Sequence, residues 1–357
     1  MLWFTQTQNK LSHNLWSGRA MAVVAAGLVL MASLGGCGCQ NTQKQPTQTL
    51  QKVSFRLLWV PQAQFAGVLV ADGKGFFEEE GIDLDIRPAG PDLKPHVTVA
   101  SGTDDMGITI PNSILSANSN GADLIAVAQE FQDSANRYVA KKSTGIKTLK
   151  DVKGRKVGLW TGGDEVEFMA MLGKVGLTEK DVEVIPQGFT TAPFLEGEYD
   201  VSMVTTYNEL NQILKSGVGI DELTIISPDT YECAIVGDVV FTTKSYADKN
   251  PELVTKVVRA ILKGWQYAKD HPEEAVEIIV KSNQELAKEE QVAQLRSALE
   301  LVFSREALQP GKGIGYISAT DYETAKKILV ESKQITKPVE VADAIELKFW
   351  EAAKAAK

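Results

Sequence analysis

The stretch KVSFRLLWVPQAQFAGVLVADGKGFFEEEGIDLDIR, residues 52–87, decides the fold class. Val53, Phe55, Leu57 and Trp59 alternate with polar or smaller neighbours, the two-residue period of a strand. Pro61 then opens a segment rich in Ala, Val and Leu, from Gln64 to Asp72, that reads as a helix. Gly73 and Gly75 close it, and residues 76–81 add one more helical turn ended by Gly81. Residues 82–87 read as the next strand. The same rhythm runs on, with strands expected at 106–110, 124–129, 156–159, 182–185, 201–205 and 236–242 and helical patterns between them. That alternation is the βαβ signature of an α/β protein.

The last third changes character. Leu253, Val254, Val257, Val258, Ile261, Leu262 and Trp265 repeat at helical spacing as one apolar stripe, and Pro251 sits near the start, where its missing N–H is harmless. Further helices are expected around 286–303, 319–330 and 342–356, packed on the existing sheet rather than forming a new domain.

Of the 357 residues, 44% are hydrophobic and 23% charged, a globular balance that excludes wholesale disorder and a polytopic membrane protein. The net charge is −9. Residues 1–36 carry Lys10 and Arg19 and no acid, so the remainder carries −11, which argues against a nucleic-acid partner. Residues 20–34 are apolar and uncharged, short for a membrane span and right for the core of a signal peptide. They end in Leu34-Gly35-Gly36-Cys37, which resembles a bacterial lipobox, with Cys37 as the lipidation site; Cys39 is a poorer candidate because Gly36 stands where an aliphatic residue belongs. Residues 37–51 are polar and aperiodic, a flexible tether. The expectation is an exported chain, lipid-anchored on the extracytoplasmic or periplasmic face of the membrane. Cys233 is expected to be a small buried residue.

Enzyme motifs are missing: there is no phosphate loop, no GxGxxG, no GxSxG and no HExxH. Nothing calls for a metal or other cofactor. His96 and His271 read as surface residues beside prolines, and Asp104-Asp105 and Asp164-Glu165 as carboxylates solvating loops. What remains are polar and aromatic residues just after expected strands, where ligands of open α/β sheets collect. Four loops stand out, at 59–65, 109–113, 160–165 and 205–209. They supply Trp59, Gln64, Phe65, Asn112, Thr161, Gly162, Tyr207, Asn208 and Glu209 as candidate ligand-binding residues. Flat apolar rings beside directed hydrogen-bonding groups suit a planar, nitrogen-bearing heterocycle. Each residue has a plainer alternative: Trp59 as core, Glu209 as the acid that complements a helix dipole, Trp160 as packing.

Residues 58–61 (LWVP), 65–67 (FAG), 71–77 (ADGKGFF), 80–84 (EGIDL), 100–108 (ASGTDDMGI), 149–158 (LKDVKGRKVG), 197–201 (GEYDV) and 207–209 (YNE) resemble bacterial solute-binding proteins of ABC importers. The nearest group is the one related to thiamine-pyrimidine precursor binding and synthesis. The resemblance implies a two-lobed, periplasmic-binding-protein type II fold of the Venus-flytrap kind with extra C-terminal helices. Lobe one would hold 52–139 and 235–357, and lobe two 140–234, with crossings near 138–141 and 234–237. It implies a monomer that captures a small heterocycle, a pyrimidine precursor of thiamine, in the cleft, and permease and ATPase subunits as partners. Trp59 would stack on the ring and Glu209 would bond to it. Related binders take riboflavin, sulfonates, taurine or nitrate; the anion binders would want Arg or Lys where these loops offer Gln, Asn and Glu. The related pyrimidine synthase consumes an active-site His and carries a Cys-rich motif, whereas Phe65 stands at the matching position here and no Cys cluster exists.

Overall fold

The computed structural model describes residues 49–161, 163–305 and 311–355. Two five-stranded sheets form its centre. The first contains β1 (Gln51–Arg56), β2 (Ile82–Arg87), β3 (Met106–Thr109), β4 (Leu124–Gln129) and β10 (Val239–Thr243) in the order β2-β1-β3-β10-β4. The second contains β5 (Asn136–Lys141), β6 (Lys156–Leu159), β7 (Glu183–Pro186), β8 (Val201–Thr205) and β9 (Leu223–Ile226) in the order β7-β6-β8-β5-β9. In each sheet the first three strands are parallel, and one antiparallel strand is inserted: β10 between β3 and β4, and β5 between β8 and β9. Each inserted strand is the one that arrives straight after the chain has left the other sheet, so the two sheets are built from one another's chain.

Helices α1 (Ala66–Gly73), α2 (Phe76–Glu79), α3 (Pro95–Ala100) and α4 (Pro111–Ser119) belong to the first half. Helices α5 (Val166–Lys174), α6 (Ala192–Glu196) and α7 (Glu209–Lys215) belong to the second. The C-terminal set is α8 (Lys244–Lys249), α9 (Pro251–Asp270), α10 (Pro272–Ser282), α11 (Lys288–Phe303), α12 (Ala319–Glu331), α13 (Val341–Ala344) and α14 (Lys348–Ala355). Among the described residues no helix is long and apolar enough to cross a membrane. The expected leader, tether and Cys37 lie outside the described residues.

Four differences from the sequence-based expectations have physical causes. First, β5 and β9 were not expected, and β5 moves the first crossing to 130–135, upstream of 138–141: residues 136–141 pair on both sides, with β8 and with β9. Second, the helix expected at 342–356 is broken, because Ile345 bridges Ala126 and the Glu346 N–H donates to the Ala126 carbonyl at 2.9 Å. A second bridge joins Gly315 to Gln129, so the exposed edge of β4 is covered at two points. Third, Asp104 is buried, not solvating a loop: its carboxylate takes Arg56 Nε and Arg87 Nη1 at 2.8 Å each, tying β1 and β2 to the start of β3. Burial pushes that carboxyl up, but the hydrogen bonds of Arg56, Thr98 and Arg87 hold it below its ordinary value. Fourth, His96 is half-buried, while His271 is exposed as expected. Cys233 is buried with a free thiol.

The C-terminal helices do not serve the first sheet alone. On α11, Gln291 and Gln294 accept the backbone N–H groups of Ala63 and Gln64, while Ser297 and Glu290 meet Asn211 and Lys215 of α7. Tyr322, Ile328 and Leu329 of α12 share one apolar cluster with Ile114 and Leu115 of α4 and Phe168 of α5.

The stripe on α9 buries Val254, Val257, Val258, Ile261 and Trp265 against α1 and the first sheet. The approach of α9 to α1 is close enough that a Cβ on Gly264 would lie 2.0 Å from the Gly67 carbonyl oxygen. Backbone cannot move aside as a flexible side chain does. We expect Gly264→Ala to destabilise the protein by roughly 1–3 kcal/mol through overpacking, read as a lower urea midpoint with an unchanged slope; an unchanged midpoint would show that the two helices part freely.

Candidate functional site

The four strand-end loops singled out in the sequence come from both sheets, and all four converge on one cavity of about 120 Å³ between the sheets. Trp59 and Gln64 enter from the segment after β1, and Asn112 from the first turn of α4. Tyr207, Asn208 and Glu209 come from the join between β8 and α7. The fourth loop, 160–165, contributes Trp160 and Asp164 rather than Thr161. Thr161 is exposed and offers only its carbonyl, to Lys94 Nζ at 3.3 Å. Phe65 does not line the cavity; its ring is fully buried in the first core, because the short helical turn at Ala63–Phe65 points it inward. Gly162 lies outside the described residues.

Glu209 opens α7, where an acid suits the helix dipole, but its carboxylate also turns back on its own loop. One oxygen accepts the Thr205 N–H at 3.0 Å and the Thr205 hydroxyl at 2.7 Å, and the other accepts Asn208 Nδ2 at 2.6 Å. These bonds fix the rotamer that faces the cavity. Burial nevertheless pushes the Glu209 carboxyl up from its ordinary value.

The rest of the wall was not anticipated. Glu167, in the first turn of α5, accepts Ser134 Oγ at 3.0 Å, Asn136 Nδ2 at 2.7 Å and the Ile235 N–H at 2.6 Å, so it grips both segments that cross between the sheets. Asp238 ends the second crossing and accepts Gln64 Nε2 at 2.7 Å. Burial raises each of these carboxyls to about 7. Asp164 also lines the cavity and is pushed up by burial, with Lys94 at 3.3 Å opposing the shift. Lys94 is the cation of the lining, and Asp164 already engages it. Four carboxylates against one paired ammonium make a wall that favours donors and positive charge. A usable signal was present: Asp238 is a lone acid in the apolar run 233–241, and such an acid is either paired or functional.

Three contacts close the cleft across the two halves. Trp59 meets Phe189 with ring centroids 4.9 Å apart, Asn112 Nδ2 donates to the Gly163 carbonyl at 2.6 Å, and Lys94 pairs with Asp164. Trp160 Nε1 donates to the Gly188 carbonyl at 3.2 Å, which holds its ring at the rim.

The family described as NMT1/THI5 like matches residues 62–275, more than half of the chain. This chain belongs to the NMT1/THI5-like family. Among relatives, the riboflavin-binding protein RibY of Chloroflexus aurantiacus is 27% identical over 84% of this chain and 86% of its own length. The formylaminopyrimidine-binding protein of Halalkalibacterium halodurans is 24% identical over 88% and 96%. The 4-amino-5-hydroxymethyl-2-methylpyrimidine phosphate synthase THI12 of Saccharomyces cerevisiae is 26% identical over 63% and 69%. In structure, the periplasmic sulfonate-binding protein SsuA of Methylobacillus flagellatus superposes with a TM-score of 0.62 over 86% of this chain and 95% of its own, at 19% identity. That likeness is one of fold. The NMT1/THI5-like chain therefore has the two-lobed α/β fold of periplasmic binding proteins, with additional C-terminal helices, as the resemblance implied.

Behind the cavity wall, Glu130 accepts Trp265 Nε1 at 2.5 Å while its other oxygen is buried without a partner. Burial raises this carboxyl from 4.5 to about 8. An acid raised in the folded state holds its proton longer than in the unfolded chain, so its contribution falls as pH rises from about 4.5 to about 8. Glu130→Gln keeps the shape and removes that titration. We expect it to match the parent in thermal unfolding at pH 5 and to exceed it at pH 9; equal curves at both pH values would mean that Glu130 is not desolvated.

Proposed function

We propose that this protein is the substrate-binding component of an ABC importer, exported and tethered to the membrane through Cys37, and that it captures a pyrimidine precursor of thiamine in the cavity between its lobes. The observation that carries the ligand class is the cavity itself. An apolar cavity of about 150 Å³ accepts one benzene ring, so about 120 Å³ is on the scale of one ring rather than three, and a substituted ring would widen it slightly. Trp59 offers its face, and Glu209, Asn208 and Asn112 offer acceptors and donors at the ring edge. An amino-substituted pyrimidine brings the N–H donors that an acidic wall needs. A sulfonate or nitrate would meet four carboxylates, so the fold shared with sulfonate binders does not carry over to the ligand.

Binding rather than turnover fits the site. The lining holds no histidine and no cysteine, and Phe65 is sealed in the core where the synthase resemblance calls for a reactive His. The second reading, riboflavin, is favoured by the kinship with RibY. A three-ring isoalloxazine would need the walls to part well beyond their present spacing.

Two measurements test this. Full-length protein in mild detergent should bind 4-amino-5-hydroxymethyl-2-methylpyrimidine or its formylamino relative by calorimetry and purify without flavin absorbance; a yellow protein with no affinity for either pyrimidine reverses the choice. Glu209→Gln should weaken pyrimidine binding by roughly 1.5–3 kcal/mol, about tenfold to 150-fold, because a charged acceptor becomes neutral. Trp59→Ala should cost about 1–3 kcal/mol if the ring stacks there. Unchanged affinity in both variants would place the ligand elsewhere.

A further inference from the structure

Asp238 is 4% exposed and lines the cavity at the point where the second crossing rejoins the first sheet. Its backbone is fixed: the carbonyl accepts the Glu130 and Phe131 N–H groups at 2.9 and 3.0 Å and Gln129 Nε2 at 3.0 Å. Its side chain stands at the end of a buried row of amides. Gln294 Nε2 donates to Gln62 Oε1 at 3.1 Å, Gln62 Nε2 to Gln64 Oε1 at 2.9 Å, and Gln64 Nε2 to Asp238 Oδ2 at 2.7 Å. Every donor in the row points the same way, so the amide dipoles add at the Asp238 carboxylate and favour its negative charge. All four residues are buried.

A carboxylate placed only to pin Gln64 would have its second oxygen satisfied by protein, as buried polar groups generally are. Among the described residues, Gln64 is the one other residue that donates to the Asp238 carboxylate, and it does so at Oδ2, not Oδ1. An oxygen with unused capacity that opens onto a ligand-sized cavity is an acceptor held for something that enters it. Glu209 differs, since protein donors engage both of its oxygens.

We propose that Asp238 is a second ligand carboxylate, and that it accepts an N–H of the heterocycle and sets the preference for an amino over an oxo substituent. This rests on the reading of the cavity as a pyrimidine site and adds the residue that selects among pyrimidines. The amino group donates to the ionised Asp238 Oδ1, whereas an oxo group in the same place turns a carbonyl oxygen towards a carboxylate oxygen, so the preference belongs to the ionised form and is read at a pH where Asp238 is charged. Gln62, Gln64 and Gln294 are positioning residues: they aim Asp238 and supply the donors that hold its charge.

The test uses full-length protein and two probes, 4-amino-5-hydroxymethyl-2-methylpyrimidine and its 4-oxo counterpart, titrated calorimetrically into the parent, Asp238→Asn and Gln64→Met. The parent should prefer the amine by about tenfold or more, the scale of one charge-assisted hydrogen bond. In Asp238→Asn the amide still accepts from Gln64 but presents no charge, so the preference should shrink to within about threefold, chiefly through weaker binding of the amine. Equal weakening of both probes, or an unchanged preference, overturns the inference, the first by making Asp238 purely structural. If Asp238→Asn does not fold, Gln64→Met decides, since loss of the donor row should reduce the preference without removing the acid; an unchanged ratio there overturns the inference. A parent that binds neither probe overturns the pyrimidine reading itself, an outcome distinct from a parent that binds both without discrimination, which removes only the role of Asp238.

Discussion

The structure depends on the short antiparallel pairing of the two chain segments that cross between its sheets. The Glu130 and Phe131 N–H groups bond to the Asp238 carbonyl, the Gly237 N–H bonds to the Asp133 carbonyl, and Gln129 Nε2 reaches the carbonyls of Gly237 and Asp238. This pairing fixes where β5 leaves for one sheet and β10 for the other. It also sets the floor of the cavity, since Phe131, Ala135, Asn136 and residues 235–238 all line it. Glu167 then fastens α5 to both segments at once. The site and the junction of the two halves are thus one piece of structure, and a change in either is felt in the other.

That economy concentrates charge where water is scarce. Burying a carboxylate costs several kcal/mol unless donors surround it. Glu167 has three donors and Glu209 three, but Asp238 has one and Glu130 one. The carboxyls are raised accordingly, with burial as the leading cause in each. A fold selected only for stability would replace such groups with apolar ones. Glu167, Glu209 and Asp238 gather on one cavity, while Asp104 elsewhere is fully paired by two arginines, and raised acids gathered on a cavity are the pattern of a candidate site.

The α/β rhythm was legible because parallel strands between helices announce themselves as short apolar runs, and β4 and β8 fall within the very residues that the pattern picks out. The strands that escaped are those without such a run. β5, with Asn136 and Arg137 at one end and Lys141 at the other, carries charge at both ends, and its strand character comes from partners on each side. β9 is a four-residue edge strand whose partner, β5, was itself not anticipated. The α14 region reads as one helix by composition, and only the uncovered edge of β4 explains why Ile345 leaves it. For the site, strand ends pointed to Trp59, Gln64, Asn112 and 207–209. Lys94, Glu167 and Asp238 were beyond that rule, since they come from a loop, a helix turn and a crossing that meet only in three dimensions. Phe65 was misread because it directly follows Gln64 in the same loop after β1 but faces the core once the chain turns at Ala63.

The contacts that close the cleft bear on how a ligand acts. A half-buried ion pair such as Lys94–Asp164 is worth about 1 kcal/mol, since desolvation offsets part of the attraction, one neutral hydrogen bond such as Asn112 to Gly163 about 1, and the Trp59–Phe189 pair about 0.5–1.5 beyond its buried area. Were the halves to part, contacts of that size would leave the two forms within a few kcal/mol of each other. A ligand shifts such an equilibrium only by its differential affinity for the two forms. On the proposed reading, a ring resting on Trp59 from one half and bonded to Glu209 from the other would touch both walls only when the halves are together, so its binding energy would be directed into closure. A ligand that met Trp59 alone would bind the open form as well and signal nothing. On the proposed reading, the division of the site between the two sheets would let a small heterocycle, with few atoms to grip, change the shape that the rest of the protein presents.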